Sequence, residues 1–423
     1  MAVSHTKVLT AVPVSKTYVC QNCQSTLTQT FADFGKLPLA NSFVPANLFS
    51  QPDPLYPLHL RVCNTCWLVQ AESVVPASDM FENYAYFSSF SETWLSHSFN
   101  YVEMAIERFG LNDTSKVIEI ASNDGYLLQY FVNREISVLG IEPAKNIAAI
   151  ATDKEIPTLV QFFGRDLARQ LMVDQSKPDL VISNNVLAHV PDINNFVEGI
   201  SILLTGDAVY TAEFPHILNL IREIQFDTIY HEHYTYLSLI TIEKIFGKFG
   251  LRIFDVEEIS THGGSLRLYV CLDNASHALS SRVRALRNKE IDAKLNTPSV
   301  YSGFEERVIG VKNDLLNFLR NARDERKFVV AYGAAAKGNT LLNYCGIGKE
   351  LIAFVVDRNP MKQGTYLPGS RIGVRKVETL EEKAPDYILI LPWNLSCEIK
   401  DQLSHLRGTG TQFVTAIPQL LVD

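Results

Sequence analysis

Two cysteine pairs with the same internal gap, Cys20-Gln21-Asn22-Cys23 and Cys63-Asn64-Thr65-Cys66, constrain the front of this chain more than any other feature. A two-residue gap lets both thiolates of a pair turn onto one ion, and two such knuckles complete a tetrahedral four-sulfur zinc site. Four thiolates leave no open position, so such an ion holds the fold together and does no chemistry. The segment 24–62 between the pairs is rich in proline and large apolar residues, and reads as an ordered insertion packed around the metal. A redox role fits poorly, since a thioredoxin-like pair sits between a strand and a helix.

The total of seven cysteines is odd, which argues against a disulfide framework and for a reducing, cytoplasmic compartment. The first twenty residues lack the basic end and continuous apolar run of a signal peptide. Apolar runs such as "FVVAYGAAA" and "LIAFVV" suit buried strands and are too short to span a bilayer. A net charge of −8, without a long basic run, disfavours nucleic acid as a partner. At 423 residues and 47% hydrophobic, the chain has material for two or three domains, each with its own core.

From about residue 100, helical and strand patterns alternate. "SKVIEIASNDGYLLQYF" runs from a strand through a loop with Ser122, Asp124 and Gly125 into a helix, and "SVLGIEP" follows as a second strand ending at Glu142. This is the order of a doubly wound sheet, which binds ligands at the carboxyl ends of its strands. The loop lacks the G-x-G-x-x-G of a pyrophosphate site, and Glu119 and Asp124 beside it would repel phosphate. A cationic nucleoside without phosphate, S-adenosylmethionine, fits better, with Glu142 accepting from both ribose hydroxyls. "PTLVQFF" reads as a third strand ending at Phe162, a wall for an adenine ring, and "PDLVISNNVLAHVPD" as a fourth whose exit carries Asn184, Asn185 and His189.

The stretch "QFDTIYHEHYTYLSL" (225–239) concentrates histidine, glutamate and tyrosine, and by itself reads equally as a metal site, an acid/base centre or an aromatic strand. Behind it, "THGGSLRLYV" is a Gly-Gly turn entering a strand, with His262 at its mouth. After a polar helical stretch, "KFVVAYGAAAKGNTLLNYCGI" opens a second βαβ pattern. Its small-residue loop and helix N-terminus, with Lys337, Asn339, Arg358 and Lys362, suit an anionic nucleotide diphosphate. The G-x-x-x-x-G-K-[ST] spacing of ATP-hydrolysing loops is absent.

The motifs "EIASNDGYLLQ", "GIEPAKNIA", "NNVLAHVPD", "FDTIYHEHYTYLS", "HGGSLRLYV" and "YGAAAKGNTLLN", in this order behind a four-cysteine module, resemble the S-adenosylmethionine-dependent sugar C-methyltransferases. The resemblance spans nearly the whole chain. It implies an α/β protein of three parts: a zinc module (1–80), a Rossmann-like class I methyltransferase domain (81–275) and a C-terminal Rossmann-like domain that helps bind a sugar nucleotide (276–423). It implies further that His233 is the base, with Glu232, Tyr230 and Tyr84 beside it. Tyr86 is a near neighbour that the sequence does not separate from Tyr84.

The chemistry suits these residues. Methylating a carbon next to a ketone requires proton removal to an enolate, for which histidine is the natural base. A paired carboxylate would orient the imidazole, and a tyrosine hydroxyl could donate to the enolate oxygen. In an extended strand, however, Glu232 faces away from His233, so that pairing needs a bend. The expectation is a monomeric enzyme acting on carbon 3 of a dTDP-linked 4-keto-deoxysugar. The alternatives are an O- or N-methyltransferase, a C-methyltransferase for another ketone, or a non-catalytic zinc scaffold.

Overall fold

The computed structural model describes residues 18–81, 87–173 and 177–423, so Tyr84 and Tyr86 lie outside the described residues. Strands β1 (Gln29–Leu37), β2 (Tyr56–Val62) and β3 (Val69–Ala71) form an antiparallel meander, with the first cysteine pair ahead of β1 and the second in the turn between β2 and β3. Each pair ends in a turn whose next residue adopts left-handed backbone, Gln24 at φ 60 and Trp67 at φ 67. The amides of Gln24 and Trp67 donate back to the carbonyls of Cys20 and Cys63, at 3.0 and 2.9 Å.

The insertion between the pairs does not wrap the metal as the sequence suggested. Val44 and Tyr366 exchange backbone hydrogen bonds of 2.8 Å, Phe49 packs on the Tyr366 ring, and Asp53 pairs with Arg371. The C-terminal half gives these apolar and backbone groups partners that the small meander has no surface left to supply.

The second sheet begins with five parallel strands: β4 (Lys116–Ile120), β5 (Ser137–Ile141), β6 (Thr158–Leu159), β7 (Leu180–Asn184) and β8 (Val209–Pro215). A short strand β9 (Thr235–Tyr236) then leaves this sheet and pairs antiparallel with β3 of the cysteine module. The chain returns as β10 (Leu251–Ile259) and β11 (Ser265–Leu272), giving the order β10-β11-β8-β7-β4-β5-β6 with β11 antiparallel to both neighbours. β7 is buried along its length, as expected where helices cover both faces of a parallel sheet. The third strand is shorter than "PTLVQFF", and Phe162 and Phe163 fall in the loop after it.

The third sheet contains β12 (Val329–Tyr332), β13 (Val355–Val356), β14 (Val374–Arg375), β15 (Tyr387–Ile390), β16 (Gln412–Thr415) and β17 (Leu421–Val422), ordered β14-β13-β12-β15-β16-β17. All of its pairings are parallel except β16 with β17. The polar stretch before it forms helices Ser281–Asp292 and Phe304–Asp324. No described helix is long and apolar enough to cross a membrane.

Apolar packing crosses the modules. One cluster runs from Phe31 and Leu60 through Phe226 and Ile229 to Phe304 and Val329, and another joins Cys20, Cys63 and Cys66 to Ile242 and Phe246. A polar staple sits among these contacts. Fully buried Glu290, on helix Ser281–Asp292, accepts from His216 Nε2 at 2.7 Å and from the amides of Leu239 and Ile240 at 2.7 and 2.8 Å. Its carboxylate therefore satisfies the open N-terminus of helix Leu239–Gly247. Glu290→Ala strands these donors away from water, and a loss of about 3–5 kcal/mol is expected in denaturant titrations.

Candidate active site

A cavity of about 370 Å³ opens at the carboxyl ends of the parallel strands of the second sheet. Its walls come from all three parts of the chain, with Asn41 from the cysteine module and Ala335, Ala336, Lys337 and Lys362 from the C-terminal half. Strand order reverses beside β4, which is where open α/β sheets leave a crevice.

The loop after β4 shapes one end. Ala121, Asn123 and Gly125 adopt φ of 55, 50 and 74, and a Cβ at Gly125 would stand 2.4 Å from Ile156 Cδ1, so only glycine fits. The curled loop aims the Asn123 amide at Glu142 Oε2 (3.0 Å), while the Ala144 amide holds Oε1 (2.8 Å). Glu142 thus enters the cavity wall oriented and with lone pairs to spare. Burial raises its pKa against the pull of these amides. Asn184 lines the same region with both amide atoms buried and unpartnered, and Asn185 and the half-exposed Phe162 border it.

The expected contacts from Glu119, Ser122, Asp124 and Gly125 are not seen in the cavity wall. Glu119 is fully buried, with its pKa pushed well up by desolvation. The Ser122 hydroxyl faces the close backbone of Gly140, and Asp124 Oδ2 accepts from the Ser89 amide at 3.3 Å. These residues shape the loop from behind, because its left-handed turns direct Asn123 rather than its neighbours forward.

The stretch 225–239 is not a continuous strand. A turn at Phe226–Thr228 is followed by a second bend in which the His233 amide donates to the Tyr230 carbonyl at 2.9 Å. This bend fulfils the condition for a Glu232–His233 pair, yet that pair is not what forms. The Glu232 carboxylate accepts from Asn41 Nδ2 at 2.7 and 2.9 Å. His233 Nδ1 instead lies 2.7 Å from the Thr228 carbonyl, which can only accept. Nδ1 must therefore carry the proton, and the neutral ring keeps its Nε2 lone pair. Burial, with the neighbouring His189, His262 and Lys337, drives the His233 pKa well below the usual histidine value.

Other rings complete the pocket. Tyr230 lies 4.0 Å from the His233 ring centroid, and His189 meets it edge-on at 4.6 Å. Burial pushes both His189 and His262 down to about 4. Asn185 Nδ2 is 3.1 Å from His262 Nε2, and the Trp94 ring packs beside His262. His231 turns the other way, with Nε2 3.2 Å from the Tyr56 carbonyl, so the two histidines of the stretch do not converge as metal ligands.

Two lysines of the C-terminal half close the far wall. Lys337 donates to Asn394 Oδ1 at 2.6 Å and lies 4.8 Å from the centre of the Trp393 ring. Lys362 donates to the Ala334 carbonyl at 2.8 Å, close enough to feel Glu232 and Asp357. Burial lowers the pKa of both lysines. Two expected substrate contacts are misplaced. Arg358 is exposed and outside the wall, and Asn339 is buried with its Nδ2 on the Ala40 carbonyl at 2.6 Å. Arg358 lies two residues past the end of β13 and faces water, and Asn339 serves the junction with the cysteine module. Sequence reasoning missed Asn41, Trp94 and Gln161 of the cavity wall, which sit far apart in the chain. It also passed over Asp227, although this acid lies inside the stretch 225–239.

The four cysteine sulfurs lie within 4.8 Å of one another, with Cys20–Cys66 and Cys23–Cys63 at 3.5 Å. Tetrahedral zinc requires sulfurs about 3.8 Å apart, so the donor set fits that ion. The knuckles also dock the module. Asn194 Nδ2 and Lys248 Nζ donate to carbonyls of Gln21 and Asn22, and Lys244 Nζ donates to the Thr65 carbonyl.

Known proteins carry the same organisation. Residues 20–81 match a zinc binding domain, 94–256 a methyltransferase domain, and 260–418 a C-methyltransferase C-terminal domain. The C-methyltransferase NovU of Streptomyces niveus is 32% identical over 386 residues, covering 91% of this chain and 92% of NovU. The chain belongs to this C-methyltransferase family. Among solved structures, the magnesium protoporphyrin IX methyltransferase of Synechocystis with bound S-adenosylmethionine aligns over 42% of this chain and 81% of that one (TM-score 0.32, 18% identity). A methyltransferase of Anabaena variabilis aligns over 40% of this chain and 83% of that one (TM-score 0.34, 14% identity). The chain is therefore an S-adenosylmethionine-dependent methyltransferase whose four converging cysteines are placed to bind zinc.

Because both knuckles pack on the methyltransferase helices, metal loss is expected to loosen more than the first module. Elemental analysis should give one zinc per chain, and Cys66→Ser or strong chelation should lower the thermal midpoint by several degrees. An unchanged melt after zinc removal would refute a structural metal.

Proposed function

We propose that the enzyme methylates carbon 3, next to the ketone, of a dTDP-linked 4-keto-deoxysugar, with His233 as the base that generates an enolate. The observation that carries this reading is the 2.7 Å contact from His233 Nδ1 to the Thr228 carbonyl, which leaves Nε2 unprotonated in a shared cavity. Glu142 bounds that cavity on the nucleoside side, and Lys337 and Lys362 bound it on the other. A ketosugar carrying a diphosphate needs a base and positive charge, whereas a neutral methyl acceptor that forms no enolate has no use for buried lysines.

In this reading Glu142 accepts from the ribose hydroxyls of the methyl donor, and Asn184 and Asn185 supply amide contacts beside it. Phe162 covers the adenine. The acidic character of this end suits the sulfonium charge that S-adenosylmethionine supplies when bound. The ring of His233, wedged between Tyr230 and His189, has little freedom to leave the reactive direction. Tyr230 offers a neutral hydroxyl to the ketone oxygen. Glu232 holds Asn41, and so keeps the cysteine module against the base.

The working division remains 1–80, 81–275 and 276–423, with the last part receiving the nucleotide. It is supported by three separate sheets, although β9 crosses from the second part into the first. The enzyme is taken to work as a monomer in the cytoplasm, a compartment in which the three cysteines outside the zinc site, Cys271, Cys345 and Cys397, stay reduced.

Replacing His233 by asparagine should cut methyl transfer at least about 10³-fold while leaving S-adenosylhomocysteine affinity within a few-fold. Deuterium exchange at the sugar carbon, followed without methyl donor, should occur in the native enzyme and vanish in that variant. Methylation without any exchange would favour an O- or N-methyltransferase. The pH dependence has a definite sign. The base works deprotonated, and its folded pKa lies well below 6.5, so kcat/KM should stay level as pH falls to 6.5 and drop only below it. An acid limb centred above pH 6.5 would show that another group is the base.

A further inference from the structure

Tyr230 offers an enolate only a neutral hydroxyl, so the negative charge on the enolate oxygen needs a further partner. Two cations line the cavity, and their surroundings differ. Lys362 sits in the field of two carboxylates, Glu232 and Asp357, and donates to the Ala334 carbonyl. Lys337 has one carboxylate near it, Asp227, and that acid does not pair with it directly. Asp227 is fully buried on the turn Phe226–Thr228, with Oδ2 accepting from Trp393 Nε1 at 2.8 Å and Oδ1 unpartnered. The Trp393 side chain thus touches both this acid and the ammonium of Lys337.

The same turn reaches every active part of the pocket. Gln225 Nε2 donates to the Gly263 carbonyl at 2.8 Å, anchoring the loop that carries His262. A Cβ on Gly263 would stand 2.4 Å from the Trp393 ring, so this loop and the tryptophan pack in direct contact. Thr228 holds the Nδ1 proton of His233. Four consecutive residues, 225–228, therefore set the positions of the base, of His262 and of the cation-bearing corner of the C-terminal half.

We propose that Lys337 is a catalytic residue of the methyl transfer, its ammonium donating to the ketone oxygen as that oxygen becomes an enolate, and that Asp227 is a positioning residue acting through Trp393. The proposal rests on the enolate reading. His233 Nε2 takes the proton from the carbon beside the ketone. The C–H pair becomes the enolate double bond, and the carbonyl π pair moves to the oxygen beside Lys337. When the oxygen pair folds back, the carbon forms its bond to the methyl group, and the pair of the broken S–CH₃ bond stays on sulfur, giving S-adenosylhomocysteine. The proton leaves from His233 to solvent. A buried ammonium whose hydrogen-bond partner is the neutral amide oxygen of Asn394, and whose neighbouring carboxylate does not pair with it directly, keeps much of its field for that oxygen, unlike one neutralised in place.

The groups whose charge reaches Lys337 are Asp227, His233 and His262. Lys337 must stay protonated while His233 stays neutral, so it supplies the alkaline limb of kcat. Lys337→Met is tested by deuterium exchange into a dTDP-linked 4-keto-6-deoxyhexose with S-adenosylhomocysteine bound, and by calorimetry with dTDP. Exchange at saturating sugar should fall about 10²–10³-fold, with dTDP and S-adenosylhomocysteine affinities within three-fold of the native enzyme. Exchange at the native rate, or loss of dTDP affinity in its place, would overturn the proposal and make Lys337 a diphosphate contact. If the variant loses S-adenosylhomocysteine binding as well, Lys337→Arg decides: its alkaline limb should move up, and an unmoved limb overturns the assignment. In Asp227→Asn the limb should move down with KM unchanged, and a fall in stability alone would leave Asp227 structural and the positioning claim overturned. Failure of the underlying reading appears separately, as a native enzyme that methylates without exchange, and it removes the proposal with it.

Discussion

The short ladder between β3 and β9, Val69 with Tyr236 and Gln70 with Thr235, is the contact on which the arrangement of this molecule turns. A buried segment must find a partner for each backbone polar group, and the 229–240 stretch finds them in every part of the chain. The Ala71 amide donates to the Tyr234 carbonyl, and the Tyr234 amide donates to Ala188. Thr340 Oγ1 takes the Ile229 carbonyl, and Glu290 takes the Leu239 and Ile240 amides. His233 sits in the middle of these ties. Its position is therefore set by three modules at once, and a zinc ion that touches no substrate still bears on the site through β3.

The electrostatics follow from the same burial. Desolvation pushes histidines and lysines toward neutrality and carboxylates toward protonation. His189, His233 and His262 are all lowered, whereas Glu142 is raised and Asp227 is raised to about 6. A neutral histidine near an ammonium is what proton abstraction next to a ketone requires, and water would level that difference. The cost of burying such groups is met in part by apolar clusters that cross the module boundaries.

Much of this was legible in the chain. Spacing alone located the metal, since a two-residue gap has few other uses, and the sulfurs do converge. Gly125 marked a loop that needs a left-handed residue, and Glu142 on the next strand does meet that loop through the Asn123 amide. Other residues misled because their local setting said nothing about direction. Glu232 is adjacent to His233, yet its carboxylate meets Asn41, almost two hundred residues earlier. Asn339 lies in the same loop-helix motif as Lys337 but turns to Ala40. The proline-rich insertion was read toward the nearest metal and found its partner at Tyr366.

What the amino-acid order determined by itself is whatever depends on short-range geometry: the knuckles, the alternation of strand and helix, the glycine turns, and a histidine-bearing segment suited to acid/base chemistry. Tertiary structure alone decided which nitrogen of His233 is free, which carboxylate serves which partner, and which groups the two buried lysines meet. Those outcomes depend on contacts between residues far apart in sequence and on the water that such contacts exclude. Neither quantity is carried by any single stretch of the chain.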